Sequence, residues 1–267
     1  HKVEGAGSFR DAVRSTKKHV VYALGLNLVV MTLRIRAPWG GEPLGLPINV
    51  RVYKKGGPSH LDLAEQMLRE VAEWLPNRNI HLCADGAYAS LASRMLPHSH
   101  LTSRMRRDAA LYEMPPKRKK KGRGRPRKKG KRLPTPEEMA RRATKWIAAT
   151  IDFRGRLKER LIYARPVLWY KACPTRPVLF VIVRDPAGNE PDDFFFTTEV
   201  EAYGPTVAGR YCGRWSIVDT FRNTKQHLGG EDPQTWKGHG PERAASLSLW
   251  LYAAVWQWYI MTHGAKP

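Results

Sequence analysis

The sequence predicts an α/β domain with a mixed sheet, on three observations. Runs rich in β-branched residues at 19–36 and 45–54 flank a turn with Pro38, Gly40 and Gly41 at 38–41. An apolar stripe of helical period follows at 60–75, and the short apolar segment "IHLCA" comes directly after it. Strand, strand, helix, strand is the order of a layered α/β domain. At 267 residues the chain can bury one large core, or one core with an inserted subdomain.

Each element has its own signal. The two β-branched runs read as a hairpin or meander. Over 60–75, Leu63, Met67, Val71 and Leu75 recur at helical spacing and predict one buried face. "IHLCA" reads as a short buried strand that ends at "DGAYAS". "PTPEEMARRATKWIAAT" opens with a helix N-terminal signature. "RLIYARPVLWY", "PVLFVIVRDPAG" and "DDFFFTT" then read as successive strands with turn punctuation, a β-rich insertion before the helix predicted over 211–229. The run 244–261 is interrupted by Ser246, Ser248 and Gln257 and follows the helix start Gly240-Pro241-Glu242. It predicts a core helix rather than a membrane span.

Between the third strand and the insertion the composition changes. Twelve of the sixteen residues from Lys117 to Arg132 are Lys or Arg, with no acid and no large apolar residue. Such a run cannot enter a core and predicts a disordered basic loop over 113–135. It supplies +12 of a net +22, so the rest of the chain is basic as well. That balance points to a polyanionic partner, nucleic acid before an anionic membrane surface. "GRGRPRKKGK" resembles an AT-hook, with Arg123, Arg125 and Arg127 suited to a narrow minor groove. Sequence-independent phosphate binding explains the same residues.

Cys83, Cys173 and Cys212 are too few and too scattered for a disulfide framework, which suits a reducing cytoplasm. The chain opens "HKVEGAGSF" with no secretory leader and no initiator Met, and reads as the middle of a longer protein. His98 and His100 lack the partners of a zinc site. No Walker loop or dinucleotide fingerprint occurs, so no nucleotide cofactor is expected.

The stretch "YCGRWSIVDTFRNTKQHLG", 211–229, carries the most specific spacing. On one continuous helix turning about 100° per residue, Tyr211, Arg214, Val218 and Lys225 fall on a single stripe about 60° wide, beside an apolar face of Ile217, Phe221 and Leu228. Asp219 lies off that stripe, one turn from Arg222, as an ordinary surface ion pair would.

The spacing of Tyr211, Arg214 and Lys225, with "ADGAYA" upstream and "KQHLG" downstream, resembles the Tyr-Arg-Glu-Lys signature of insertion-sequence DDE transposases. The resemblance covers nearly the whole chain. It implies an RNase H-like core at 1–112 and 200–267, N-terminally incomplete, with the β-rich insertion at 136–199. It implies cleavage and strand transfer of phosphodiester bonds at transposon ends, with two Mg²⁺ or Mn²⁺ ions held by three carboxylates. Asp85 matches the second carboxylate and metal ligand; a strand-end Asp-Gly is otherwise a common turn. Tyr211, Arg214 and Lys225 match the DNA-contacting positions. Where the family has Glu, this chain has Val218, which cannot ligate a hard cation, and Asp219 is the nearest substitute. The first aspartate has no match here and belongs to a strand upstream of residue 1. Trp146 and Trp169, in the insertion, are candidates for stacking a flipped base. Double-stranded DNA as transposon end and target, a dimer in the synaptic complex and a place on the prokaryotic nucleoid complete what the resemblance implies. A transposase-like protein that binds DNA without cutting it is the alternative.

Overall fold

The computed structural model describes all residues except 1–2, 12–13, 17, 117–126, 154, 233 and 265–267. The chain divides into two compact units, one of His1–Glu70 with Trp215–Pro267 and the other of Val71–Arg214.

In the first unit, β1 (Gly7–Arg10) pairs antiparallel with β2 (Tyr22–Gly25), and β3 (Asn27–Ile35) pairs antiparallel with β4 (Leu44–Tyr53). The run 19–36 therefore holds two strands with different partners. The β3–β4 connection contains Gly40 and Gly41 at φ +85° and +80°, a left-handed geometry that glycine adopts without penalty. Helix α1 (His60–Trp74) follows, with Leu63, Met67 and Val71 buried as their spacing predicts. Glu70 on α1 accepts from Asn49 at 2.7 Å and Arg51 at 2.5 Å on β4, tying helix to strand.

The second unit holds a six-stranded mixed sheet. Its strands are β5 (Ile80–Ala84), β6 (Ser99–Arg104), β7 (Ile147–Phe153), β8 (Arg156–Trp169), β9 (Cys173–Arg184) and β10 (Asp193–Thr197). They lie in the order β5-β6-β10-β9-β8-β7, with β5 and β6 parallel and the rest antiparallel. The segment expected as a β-rich insertion thus supplies four of six strands of one sheet. Val178–Val183 of β9 is buried on both faces, which is why "VLFVIV" shows no alternation. Helix α2 (Pro136–Arg142) starts with a full capping box between Thr135 and Glu138. Its helix stops at Arg142, and "IAATIDF" becomes the edge strand β7.

Of the run 113–135 expected as a disordered loop, the described part carries main-chain pairing. Tyr112 bridges Arg132 and Leu168, Glu113 N–H donates to the Lys131 carbonyl at 2.9 Å, and Leu133 N–H donates to Leu111 at 2.9 Å. Lys129 sits 4.2 Å from the Tyr112 ring centroid, and the Tyr170 hydroxyl donates to the Lys128 carbonyl at 2.8 Å. Backbone pairing and two tyrosines hold what composition alone assigns to solvent.

The stretch 211–229 is not one helix. Helix α3 (Gly204–Cys212) ends at Gly213, a tight 3₁₀ turn spans Gly213–Trp215, and α4 (Ser216–His227) begins afresh. Gly209 and Gly213 weaken helix propagation by about 1 kcal/mol each relative to alanine. A single helical wheel through Tyr211, Val218 and Lys225 therefore does not apply. Tyr211 and Arg214 belong to the second unit; Val218, Asp219 and Lys225 belong to the first.

Helix α5 (Gly240–His263) buries Pro241, Leu249 and Tyr252. The core-helix expectation holds for that face alone, because the opposite face is exposed. No helix among the described residues is long and apolar enough to cross a membrane.

Candidate functional site

Asp85 sits where β5 ends. Its backbone is extended (φ −62°, ψ 159°), and its Oδ1 accepts from the Ala87 N–H at 3.0 Å, capping the 3₁₀ turns of Gly86–Ser93. The Tyr88 N–H donates to the Asp85 carbonyl at 2.9 Å, and the Ser103 hydroxyl donates to the same carbonyl at 3.0 Å. The turn role of an Asp-Gly pair is therefore real. The side chain is nonetheless exposed at the sheet's end.

What surrounds it follows from strand pairing. Because β5 and β6 are parallel, their C-terminal ends lie together, and Arg104 emerges beside Asp85. Arg104 is paired in register with Phe195 of β10, and its guanidinium donates to Asp193 at the start of that strand. Burial works against the Arg104 charge, but the hydrogen bond and charge of Asp193, with Tyr211 and Asp85 adding, hold it above the ordinary arginine value.

Tyr211 approaches from α3. It is 3 % exposed and lies in the core formed by Ile162, Val181, Phe195, Val207 and Ala208. Its ring stands 4.3 Å from that of Phe195, and the Arg214 guanidinium lies 5.2 Å from its centroid. Burial pushes the Tyr211 phenol up; Arg214 and Arg104 pull it down, and Asp85 pushes it further up. The Tyr88 phenol is also raised, by burial and then by Asp85. Asp85, Tyr88, Arg104, Tyr211 and Arg214 thus share one electrostatic neighbourhood inside the second unit.

The remaining sequence candidates have their own partners and exposure. Asp219 pairs with Arg222 within α4, the surface pairing that its spacing allowed. Lys225 Nζ lies 2.5 Å from Glu231 Oε1, so its charge is already matched. Val218 is 41 % exposed on α4. Arg127 is exposed, and Arg123 and Arg125 lie outside the described residues. Trp169 is buried against Phe196, 5.0 Å between centroids, and the Trp146 ring lies 4.3 Å from the Arg184 guanidinium; both do packing work in the sheet unit. The sequence reading missed Arg104 and Asp193. The parallel pairing that brings Arg104 to Asp85 leaves no mark in the local pattern "TSRMRRD".

The donor set does not fit a divalent metal pair. Among the described residues no three His, Cys, Asp or Glu side chains come together in a way that could hold a metal ion. Asp85 faces the Arg104 guanidinium, and the nearby Asp193 is engaged by the same arginine. Hard cations require several oxygen ligands, whereas one carboxylate among cations and phenols is suited to an oxyanion held by charge-assisted hydrogen bonds.

Residues 56–174 match the family described as DDE superfamily endonuclease. The matched stretch contains Asp85 and Arg104 and stops before Tyr211. It supports a DDE transposase-like, nuclease-type domain in this chain, compatible with the mixed α/β architecture. None of the curated proteins matches the chain.

Proposed function

We propose that this chain is the catalytic domain of an insertion-sequence DDE transposase with an RNase H-like core, acting on phosphodiester bonds of double-stranded DNA at transposon ends. The observation that supports the reading is strand-end Asp85 lying within electrostatic reach of Arg104 and of Tyr211, whose ring carries the Arg214 guanidinium, inside one compact unit. Arg104 and Arg214 would hold the phosphate oxygens, Tyr211 and Tyr88 would wall the site, and Asp85 would act at the scissile phosphate. The net charge of +22 supplies the sequence-independent attraction that brings a duplex to this site. Action on nucleoid DNA in the cytoplasm follows from the same reading.

The test is cleavage of a duplex carrying the terminal repeats of the encoding element, with Mg²⁺ or Mn²⁺ present, by the chain and by its Asp85→Asn variant. Nicking or joined product from the first and none from the second supports the reading. Equal product from both removes Asp85 from the chemistry.

A second reading is binding without cleavage. Val218 in place of Glu, and the lone carboxylate of the Asp85 site, favour it. Under it, neither protein cuts, Val218→Glu restores nothing, and both retain duplex affinity that falls steeply with salt.

A further inference from the structure

Asp192 and Asp193 lie together at the entry to β10, and their partners differ in kind. Asp192 is locked. The Arg184 guanidinium holds both of its oxygens, Nε at 2.9 Å and Nη2 at 2.7 Å, and also donates to the Ala140 carbonyl at 2.9 Å. Asp193 lies two residues from Phe195 along the strand and so shares its face, where the Tyr211 ring stands 4.3 Å from that of Phe195. Arg104 pairs in register with Phe195, which makes Asp193 its diagonal neighbour across the strands, within reach of a long side chain. There the Arg104 Nη2 donates to Asp193 Oδ1, between side chains that are 55 % and 37 % exposed.

The contrast fixes what each pair can do. A two-armed arginine–carboxylate pair sets geometry as well as charge, as Arg184 does for Asp192. A one-armed bond between exposed groups contributes little and exchanges readily with another anion. Carboxylate and phosphate are alternatives on a guanidinium, because its planar fork matches the oxygens of either. Arg104 also stands between two carboxylates, since the charges of both Asp193 and Asp85 act on it. A phosphate that takes Arg104 must therefore replace Asp193, and it meets two negative charges until Asp193 swings aside.

We propose that Asp193 is a built-in competitor for phosphate, occupying Arg104 in the free protein and leaving it when a nucleic-acid phosphate binds. This rests on the phosphate-holding role given to Arg104 in the proposed function and adds the regulation of that site. Asp193 acts through Arg104 and sets a threshold. A lone weak anion leaves the pair closed, whereas a duplex already held by other phosphate contacts displaces it.

The experiment is equilibrium binding of a fluorescein-labelled duplex by the full chain and its variants, at about 0.15 M salt. Asp193→Asn should bind about two- to five-fold tighter, the effect of removing an exposed ion pair from the unbound state. Asp108→Asn is the matched control, because it too removes one acid beside an exposed arginine, Arg106, which holds both of its oxygens. It should gain less. Arg104→Ala should weaken binding, and in that background Asp193→Asn should add nothing beyond the Asp108→Asn gain. A carboxylate that merely orients Arg104 predicts the opposite sign. Should circular dichroism show Asp193→Asn misfolded, Asp193→Ser serves with the same expectation. Equal or weaker binding by the Asp193 variant overturns the proposal. So does a gain no larger than that of Asp108→Asn, a gain that survives Arg104→Ala, or an Arg104→Ala variant that binds as well as the unsubstituted chain. Cleavage is not read here, so failure of the Asp85 chemistry and failure of the Asp193 competition are separate outcomes.

Discussion

The two halves of the Tyr-Arg-(218)-Lys spacing live in different physical settings. Tyr211 is sealed into the core of the sheet unit, between Phe195 and the Arg214 guanidinium, and feels the charge of Asp85. Val218, Asp219 and Lys225 ride on α4, where the two charges are matched by Arg222 and Glu231 and the valine faces solvent. A motif that reads as one stripe in sequence is a core element at one end and ordinary helix surface at the other. Spacing conveys kinship; burial and charge decide which of the spaced residues the fold relies on.

The sharpest way to break this contrast is Tyr211→Ala. It empties an aromatic site in a closed core, and truncations of that kind cost about 3–5 kcal/mol. Urea unfolding should show that loss, and a change below 1 kcal/mol would mean that Tyr211 is not in the core. A second perturbation strikes the seat of α4. A Cβ on Gly45 would lie 2.9 Å from Ser216 Oγ and 3.1 Å from both the Ser216 carbonyl carbon and Thr220 Oγ1. The Gly45 carbonyl also accepts from Thr220 Oγ1 at 2.6 Å. Gly45→Ala should therefore destabilise by about 1–3 kcal/mol, as overpacking does, and unfolding of the first unit should report it.

A smaller effect is expected from pH. His81 on β5 lies beside Glu199, which is paired with Arg210 on α3, and its ring stacks 5.8 Å from His100 on β6. Burial, then Arg210, lowers the His81 pKa below the ordinary 6.5, while Glu199 raises it and His100 lowers it further. A histidine depressed in the folded state resists protonation there. Stability should accordingly fall as pH drops from 6.5 through the lowered value. Glu199 is itself held below the ordinary 4.5 despite burial, through Arg210 and the two histidines, so its contribution is lost only at more acid pH. His81→Asn should flatten the first step of the melting profile between neutrality and pH 5 and leave the second. The smallest effects belong to α4's surface. Lys225→Ala and Val218→Glu should each change stability by no more than about 0.5 kcal/mol, as exposed substitutions do. A larger loss at either position would mean that the second half of the motif is as structural as the first.

Much of the fold is legible in the sequence because it is local. Leu63, Met67 and Val71 mark the buried face of α1, Thr135 and Glu138 cap α2, and "VLFVIV" reads directly as the central strand β9. Three things were not legible. "IAATIDF" lacks alternation and follows a helix start, yet pairs as the edge strand through β8. The tyrosines that anchor the root of the basic run are distant in sequence from Lys129. The break at Gly213 is a small local preference that only packing of α3 against the sheet makes decisive.

The same division runs through the candidate site. The sequence by itself determined that a carboxylate would stand at a strand end at Asp85, that the chain would be strongly basic, and that position 218 could not ligate a cation. Each is a property of one residue or a short window. Only the tertiary structure brought Arg104 and Tyr211 to that carboxylate and tied Asp193 to Arg104. Those are pairings between segments tens to more than a hundred residues apart, set by strand register and core packing, which local periodicity does not record.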